Sequence, residues 1–139
     1  MSGEFFSRVI RFRDYTWKGI RAVSYKPPGE SWSGVIRQRL LGPEEALPFH
    51  VRYFEIEPGG HTTFEHHDHQ HSVIVIRGSG RVRLEDRWEE LSFGDVVYVA
   101  SGAAHQFRAA ADEPLGFLCI VDAERDRPVH LEDDSGIAK

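Results

Sequence analysis

Hydrophobic and polar positions in this chain alternate in short stretches separated by turn-forming residues. Gly42-Pro43, Pro58-Gly59-Gly60, Gly78-Ser79-Gly80, Gly94-Asp95, Gly102 and Glu113-Pro114 punctuate it at close intervals. Between them lie segments rich in β-branched and aromatic residues: 51–56, 71–77, 81–84, 87–91, 95–99, 105–109 and 116–121. A tight turn at Glu85-Asp86 joins the third to the fourth. Only residues 43–47, closed by Pro48, read as a helical turn. Many short strands with turn signals between them predict an all-β sandwich or barrel. Along 71–76, Val73 and Val75 share a face with His71, while Ile74 and Ile76 take the other. Both faces are apolar, so this strand is expected to be covered on both sides. Either the centre of a sandwich or a barrel wall backed by a second sheet or a partner subunit satisfies that.

Composition narrows the picture without changing it. A chain of 139 residues, 40% hydrophobic and 28% charged, has the make-up of a globular domain. At that length roughly 70% of the unfolded surface is buried on folding. The expected organisation is one domain over 1–139, with N-terminal strands or an arm over 1–50, a barrel over 51–121 and a charged tail over 122–139. No apolar run approaches the ~20 residues of a membrane helix. The formal net charge of -5 gives no general attraction to nucleic acid or to an anionic membrane. A basic bias in the first 26 residues (Arg8, Arg11, Arg13, Lys18, Arg21, Lys26) comes with no reading motif and is expected to be a solvated face. Cys119 is the single cysteine, which excludes an intramolecular disulfide and a multi-cysteine zinc site. With no secretory leader in the N-terminal residues, a cytoplasmic location is expected. Within 117–121, Cys119 reads as a buried small side chain.

The chemistry lies in the histidines. Of 8 in the chain, His61, His66, His67, His69 and His71 fall within one short window. Glu65 and His67 are two apart and project to the same face of an extended strand, with His66 opposite. Asp68-His69-Gln70 carries turn residues, and a hairpin there returns His71 beside His67. His105 arrives from a later strand. Such mixed nitrogen and oxygen donors suit one divalent transition ion (Fe, Mn, Ni, Cu, Co or Zn) and suit Ca or Mg poorly. Four protein ligands on an ion that prefers six positions leave two for water or substrate. The same residues also read as a solvated polar loop, and spacing alone leaves both readings open.

Over about residues 51 to 121 the sequence resembles the cupins, specifically a small single-domain member of the RmlC-like superfamily. The first cupin motif is a glycine, five residues, His-x-His, three or four residues, a glutamate, six residues and a glycine. Here Gly59, Glu65-His66-His67, His71 and Gly78 follow that frame. The second motif appears as Gly94, Ser101-Gly102, His105 and Ala109, with Ala100 and Ala109 replacing proline and asparagine. The intermotif stretch, 79–93, is short, as in compact members. Glu65 stands where the first histidine belongs and His71 where the glutamate belongs. The exchange keeps three histidines and one glutamate. An assignment with His66 or His69 in place of Glu65 stays open; strand parity disfavours His66, and His69 lies in the turn.

The resemblance implies a double-stranded β-helix, a jelly-roll barrel of two antiparallel sheets, with a metal near one mouth held by Glu65, His67, His71 and His105. Pro58-Gly59-Gly60 would form the turn before the ligand strand. Val73, Val75 and Phe107 share parity with ligands and are expected to line an apolar substrate pocket, with the Tyr53 hydroxyl as a further contributor. Arg37 and Arg52 are left outside the site, and His61 is expected to face solvent. The expected function is a metal-dependent enzyme of dioxygenase type acting on a small organic substrate, with Glu65 doubling as a base. The alternative is a non-enzymatic cupin that senses or stores a small ligand or metal. Small cupins commonly dimerise by exchanging N-terminal strands. A homodimer is therefore expected, with Phe5, Phe6, Val9, Ile10, Phe12 and Trp17 either exchanged or packed on their own barrel.

Overall fold

Turn chemistry and period-two alternation build strands at nearly every place where the pattern predicts them. The computed structural model describes residues 6–24, 33–125 and 129–131. Phe5 and most of the tail, 126–128 and 132–139, lie outside the described residues. The strands are β1 (Phe12–Arg13), β2 (Thr16–Trp17), β3 (Ala22–Ser24), β4 (Ser33–Leu41), β5 (Phe49–His61), β6 (Glu65–His66) and β7 (His71–Gly78). They continue as β8 (Gly80–Leu84), β9 (Arg87–Leu91), β10 (Val96–Val99), β11 (His105–Ala109), β12 (Leu115–Asp122) and β13 (Val129–His130). The expected helical turn is a short 3-10 turn, Pro43–Glu45. No helix among the described residues is long and apolar enough to cross a membrane.

All pairings are antiparallel, and the sheet curls on itself into a jelly-roll barrel. One wall runs β10–β7–β12–β5–β4–β3; the other holds β9, β8, β11, β6 and β13. β5 connects them. Its first part pairs with β12 from Phe49 to Ile56, and His61 near its end pairs with Arg108 of β11. The turn expected at Pro58-Gly59-Gly60 is thus a bend inside a continuing strand. Gly59 takes φ +76° and donates its N–H to the Ala110 carbonyl at 2.7 Å. Backbone pairing to the second wall replaces the pairing that the bend interrupts.

The walls meet through inward residues of alternate positions. Phe107 of β11 stacks on Phe117 of β12 with centroids 4.7 Å apart. Val73, Val75, Val82, Val99, Leu115 and Val121 fill the core around them. The other side of β7 and β12 is partly covered by the N-terminal arm. Tyr15 and Trp17 lie on Tyr53 at centroid distances of 6.1 and 5.1 Å, and the Tyr15 hydroxyl donates to the Ile76 carbonyl at 3.2 Å. Gln38 donates to the Tyr15 carbonyl at 2.8 Å. Within this chain Trp17, together with Tyr15, packs against Tyr53, and Phe6, Val9 and Phe12 are exposed.

Candidate metal centre

Three inward strand ends set the site. Glu65 opens β6, His71 opens β7 and His105 opens β11, while His67 lies in the connection between β6 and β7. Glu65 and His105 are directly opposed across the β6–β11 ladder. Gly102 ties the neighbouring loop to this connection by donating its N–H to the His67 carbonyl at 2.8 Å.

Around His67 the ring centroids of His71 and His105 stand at 4.4 and 4.7 Å, and those of His71 and His105 are 5.5 Å apart. Glu65, His67 and His105 each offer a donor atom within 4.8 Å of the others'. His67, His69 and His71 do the same. The structure therefore forms two donor groups that share His67: Glu65 and His105 join it in one, His71 and His69 in the other, and the expected four fall across both. The His69 ring stacks on His67 at 3.7 Å and nearly parallel. It does not bring His66 into either group; His66 is half-buried and pairs with Val129. His61 is half-buried too, not solvent-facing, and its Nδ1 meets the Thr62 carbonyl at 3.0 Å.

Hydrogen bonds fix which ring nitrogen is bare. A carbonyl only accepts, so His67 Nδ1–H donates to the His69 carbonyl at 2.8 Å and His105 Nδ1–H to the Ala103 carbonyl at 2.9 Å. In the neutral rings Nε2 then keeps its lone pair. His71 Nδ1 meets the Cys119 sulfur at 3.5 Å. The Nε2 atoms of His67 and His71 are buried with no hydrogen-bond partner. Such orphans are rare in proteins and call for an explanation. Glu65, buried beside them, accepts the Thr63 hydroxyl. Two orphaned imidazole nitrogens, a third imidazole and a carboxylate are donors of the kind that could hold a transition ion, and an outer hydrogen bond on each ring is how such ligands are oriented.

Electrostatics fit the same picture. Burial holds His67 down to about 4 and His71 down to about 2, the neighbouring imidazoles adding to both shifts. His105 is lowered chiefly by burial. The rings are neutral at pH 7, the form that binds metal.

A cavity of about 40 Å³ opens on this cluster. Glu65, His71 and His105 line it on the ligand side, Phe54, Phe107 and Phe117 form its apolar wall, and Arg52, Thr62, Thr63 and Cys119 supply polar atoms. Of the residues expected in the pocket, Phe107 is there. Val73 and Val75 share the inward face of β7 but pack in the core, and neither lines the cavity. Tyr53 points to the opposite face of β5, beneath the arm, where its hydroxyl donates to Glu55 at 2.9 Å. Its neighbour Arg52 is the residue that enters the cavity. The sequence left Arg52 outside the site and did not single out Phe54, Thr62, Thr63 or Phe117. Cys119, read as buried with a place on the cavity as the lesser alternative, is both. The inward parity of Phe117, Cys119 and Val121 was the available signal for the cysteine.

Comparison with known proteins agrees with this architecture. The family model for the cupin domain, of the Cupin_2 type, matches residues 52–121. The chain is 40% identical over 114 residues to a 1-methylthio-D-xylulose 5-phosphate methylsulfurylase of Rhodospirillum rubrum, covering 82% of this chain and 73% of that protein. A crystal structure of a cupin-2 domain from Rhodospirillum rubrum superposes with a TM-score of 0.80 at 38% identity, over 92% of this chain and 85% of that one. A cupin 2 domain-containing protein from Halorhodospira halophila is 50% identical, with a TM-score of 0.70 over 91% and 84% of the two chains. With the jelly-roll barrel and the match over residues 52–121 together, the chain belongs to the cupin family.

Proposed function

We propose that this cupin is a metal-dependent enzyme acting on a small organic substrate, with one divalent transition ion held by Glu65, His67, His71 and His105. The observation that carries the reading is the pair of buried Nε2 atoms, on His67 and His71, that lack any hydrogen-bond partner. Bound there, the ion supplies a Lewis acid for a substrate oxygen or a centre for oxygen activation. The chain's own groups do the rest. His67 and His105 are kept in one tautomer by carbonyls. Glu65 is the group available to hold or move a proton at its carboxylate. Phe54, Phe107 and Phe117 exclude water from one side of the cavity.

For the reaction, the 40% identity to the Rhodospirillum rubrum enzyme supports a phosphorylated methylthio-ketose as substrate. The cavity of about 40 Å³ suits the reacting end of such a small molecule. A dioxygenase acting on a flavonol, diketone or catechol is the second reading, favoured by the three-phenylalanine wall. Metal content of freshly purified protein, followed by reconstitution with Fe, Mn, Co, Ni, Cu or Zn, tests the centre. Anaerobic consumption of 1-methylthio-D-xylulose 5-phosphate against oxygen uptake with the aromatic candidates separates the reactions. Stoichiometric metal with no turnover of any candidate favours a sensor or store.

We read the protein as a cytoplasmic homodimer. Val96 and Tyr98 on the outer side of edge strand β10, at 71% and 59% exposure, support a partner subunit on that wall. The lone free thiol of Cys119 is in keeping with a reducing compartment. Light scattering of the purified chain tests the dimer.

A further inference from the structure

Arg52 is an unusual wall for an apolar cavity. It is 5% exposed, on the inward face of β5 between the core and the histidine cluster. Its guanidinium lies over the Phe54 ring at 4.9 Å, and Nη2 donates to the Cys119 sulfur at 3.6 Å. Nε is buried with no hydrogen-bond partner. Among the described residues no carboxylate is paired with it. The sulfur of a thiol is only a weak acceptor, a poor partner for a guanidinium. A buried cation without an anion is strongly disfavoured unless something else supplies the counter-charge.

Apart from the proposed metal ligands, the other hydroxyls of the wall are already engaged. Thr62 Oγ1 accepts the Phe107 N–H at 2.9 Å and turns its own hydrogen to the Thr63 and Phe107 carbonyls at 3.4 and 3.5 Å, and the Thr63 hydroxyl is given to Glu65. Arg52 is the donor left to meet a ligand. Its planar fork matches an oxyanion in two parallel hydrogen bonds, and the Phe54 face beneath it holds that plane.

We infer that Arg52 is the oxyanion-binding group of this cavity, and that the substrate carries a carboxylate or phosphate that pairs with it. The reacting end of the substrate then lies toward His71 and Glu65. This rests on the metal-dependent reading of the site, and it narrows the substrate to an acid anion. Neutral flavonols and diketones lack the group that Arg52 awaits.

The test uses the full chain, metal-reconstituted and chelator-stripped, titrated calorimetrically with glycolate, 2-phosphoglycolate and neutral glycolamide. Metal content is measured on every sample. The expected result is binding of an anionic probe and not of glycolamide, at least tenfold weaker in R52Q and partly restored in R52K, with metal content unchanged. Preference between the two anions tells carboxylate from phosphate. In R52M the melting temperature should rise as the buried charge is removed, while the upward shift produced by the anion disappears. Wild-type affinity in R52Q, or binding of no anionic probe by metal-loaded protein, overturns the inference and leaves the metal reading standing. Arg52-dependent anion binding in protein that takes up no metal supports the inference and overturns the metal reading instead.

Discussion

His67 Nε2 lies 4.0 Å from Glu65 Oε2, too far for a hydrogen bond, with nothing else bonded to the nitrogen. A cation bonded to both atoms at roughly 2.0–2.2 Å spans a separation of up to about 4 Å. His67→Ala and Glu65→Gln should therefore release the ion. Losing an outer partner of a ligand weakens binding about 10–100-fold, so losing the ligand itself should exceed about 100-fold. Elemental analysis after dialysis, with circular dichroism to confirm folding, measures this. Stoichiometric metal in both variants would dismiss the proposed ligand set.

The neighbouring histidines should separate cleanly. His66 lies outside both donor groups, so His66→Ala should keep a full complement of metal. His69 stacks on His67, and its carbonyl takes the His67 Nδ1–H. His69→Ala removes the ring and keeps that carbonyl, so the expected loss is about tenfold or less, at or below the bottom of the range for losing an outer partner. A loss as deep as that of Glu65→Gln would make His69 a ligand. Competition with a chromophoric chelator reads the difference.

Acid should destabilise the metal-free protein. In the unfolded chain each histidine takes a proton near pH 6.5. In the folded chain His67 resists until about 4 and His71 until about 2. Between these limits the unfolded state binds more protons, so this stability is present above 6.5 and is lost as pH falls. The slope is about 1.4 kcal/mol per pH unit for each histidine that stays neutral. Urea titrations of stripped protein from pH 8 to 5 should be flat at first and then decline. His71→Asn should flatten the decline by one proton's worth. An unchanged slope in that variant would remove His71 from the account.

Gly78 ends β7 at φ +65°, and a Cβ there would fall 1.7 Å from the Pro114 carbonyl oxygen. Gly78→Ala meets both an unfavourable backbone conformation and a backbone clash. A loss of about 2–4 kcal/mol is expected, visible as a lower thermal midpoint. Gly102→Ala, with φ +77° and open space around it, should lose only the conformational part, about 1 kcal/mol. Equal losses would show that the Pro114 contact does not matter.

Much of this architecture was legible in the chain because turns and strands keep simple rules. Glu85-Asp86 announced the β8–β9 hairpin, Gly78-Ser79-Gly80 announced the turn by which the chain leaves β7 for the other wall, and parity put Glu65 and His67 together. The hairpin expected at Asp68-His69-Gln70 does not form, since β6 pairs with β11 and β13 and β7 with β10 and β12. Legibility failed on β5. Arg52, Tyr53 and Phe54 are all bulky, so alternation gave no inside and outside, and the arginine was left out while the tyrosine was brought in. The bend at Pro58–Gly60 also read as a stop, since pairing partners from two walls are a tertiary property. Nor does parity measure depth. Val73 and Val75 face the interior as expected, yet they sit in the packed core, off the cavity wall.

One peptide unit separates the Arg52 side chain from that of Tyr53, and the two leave the strand in opposite directions. The ring on the outside is clasped by Tyr15 and Trp17, so the arm braces the plank on which the guanidinium is mounted. Recognition inside the barrel thus has an external anchor, and trimming the amino-terminal residues would slacken the grip on an anion that they never touch.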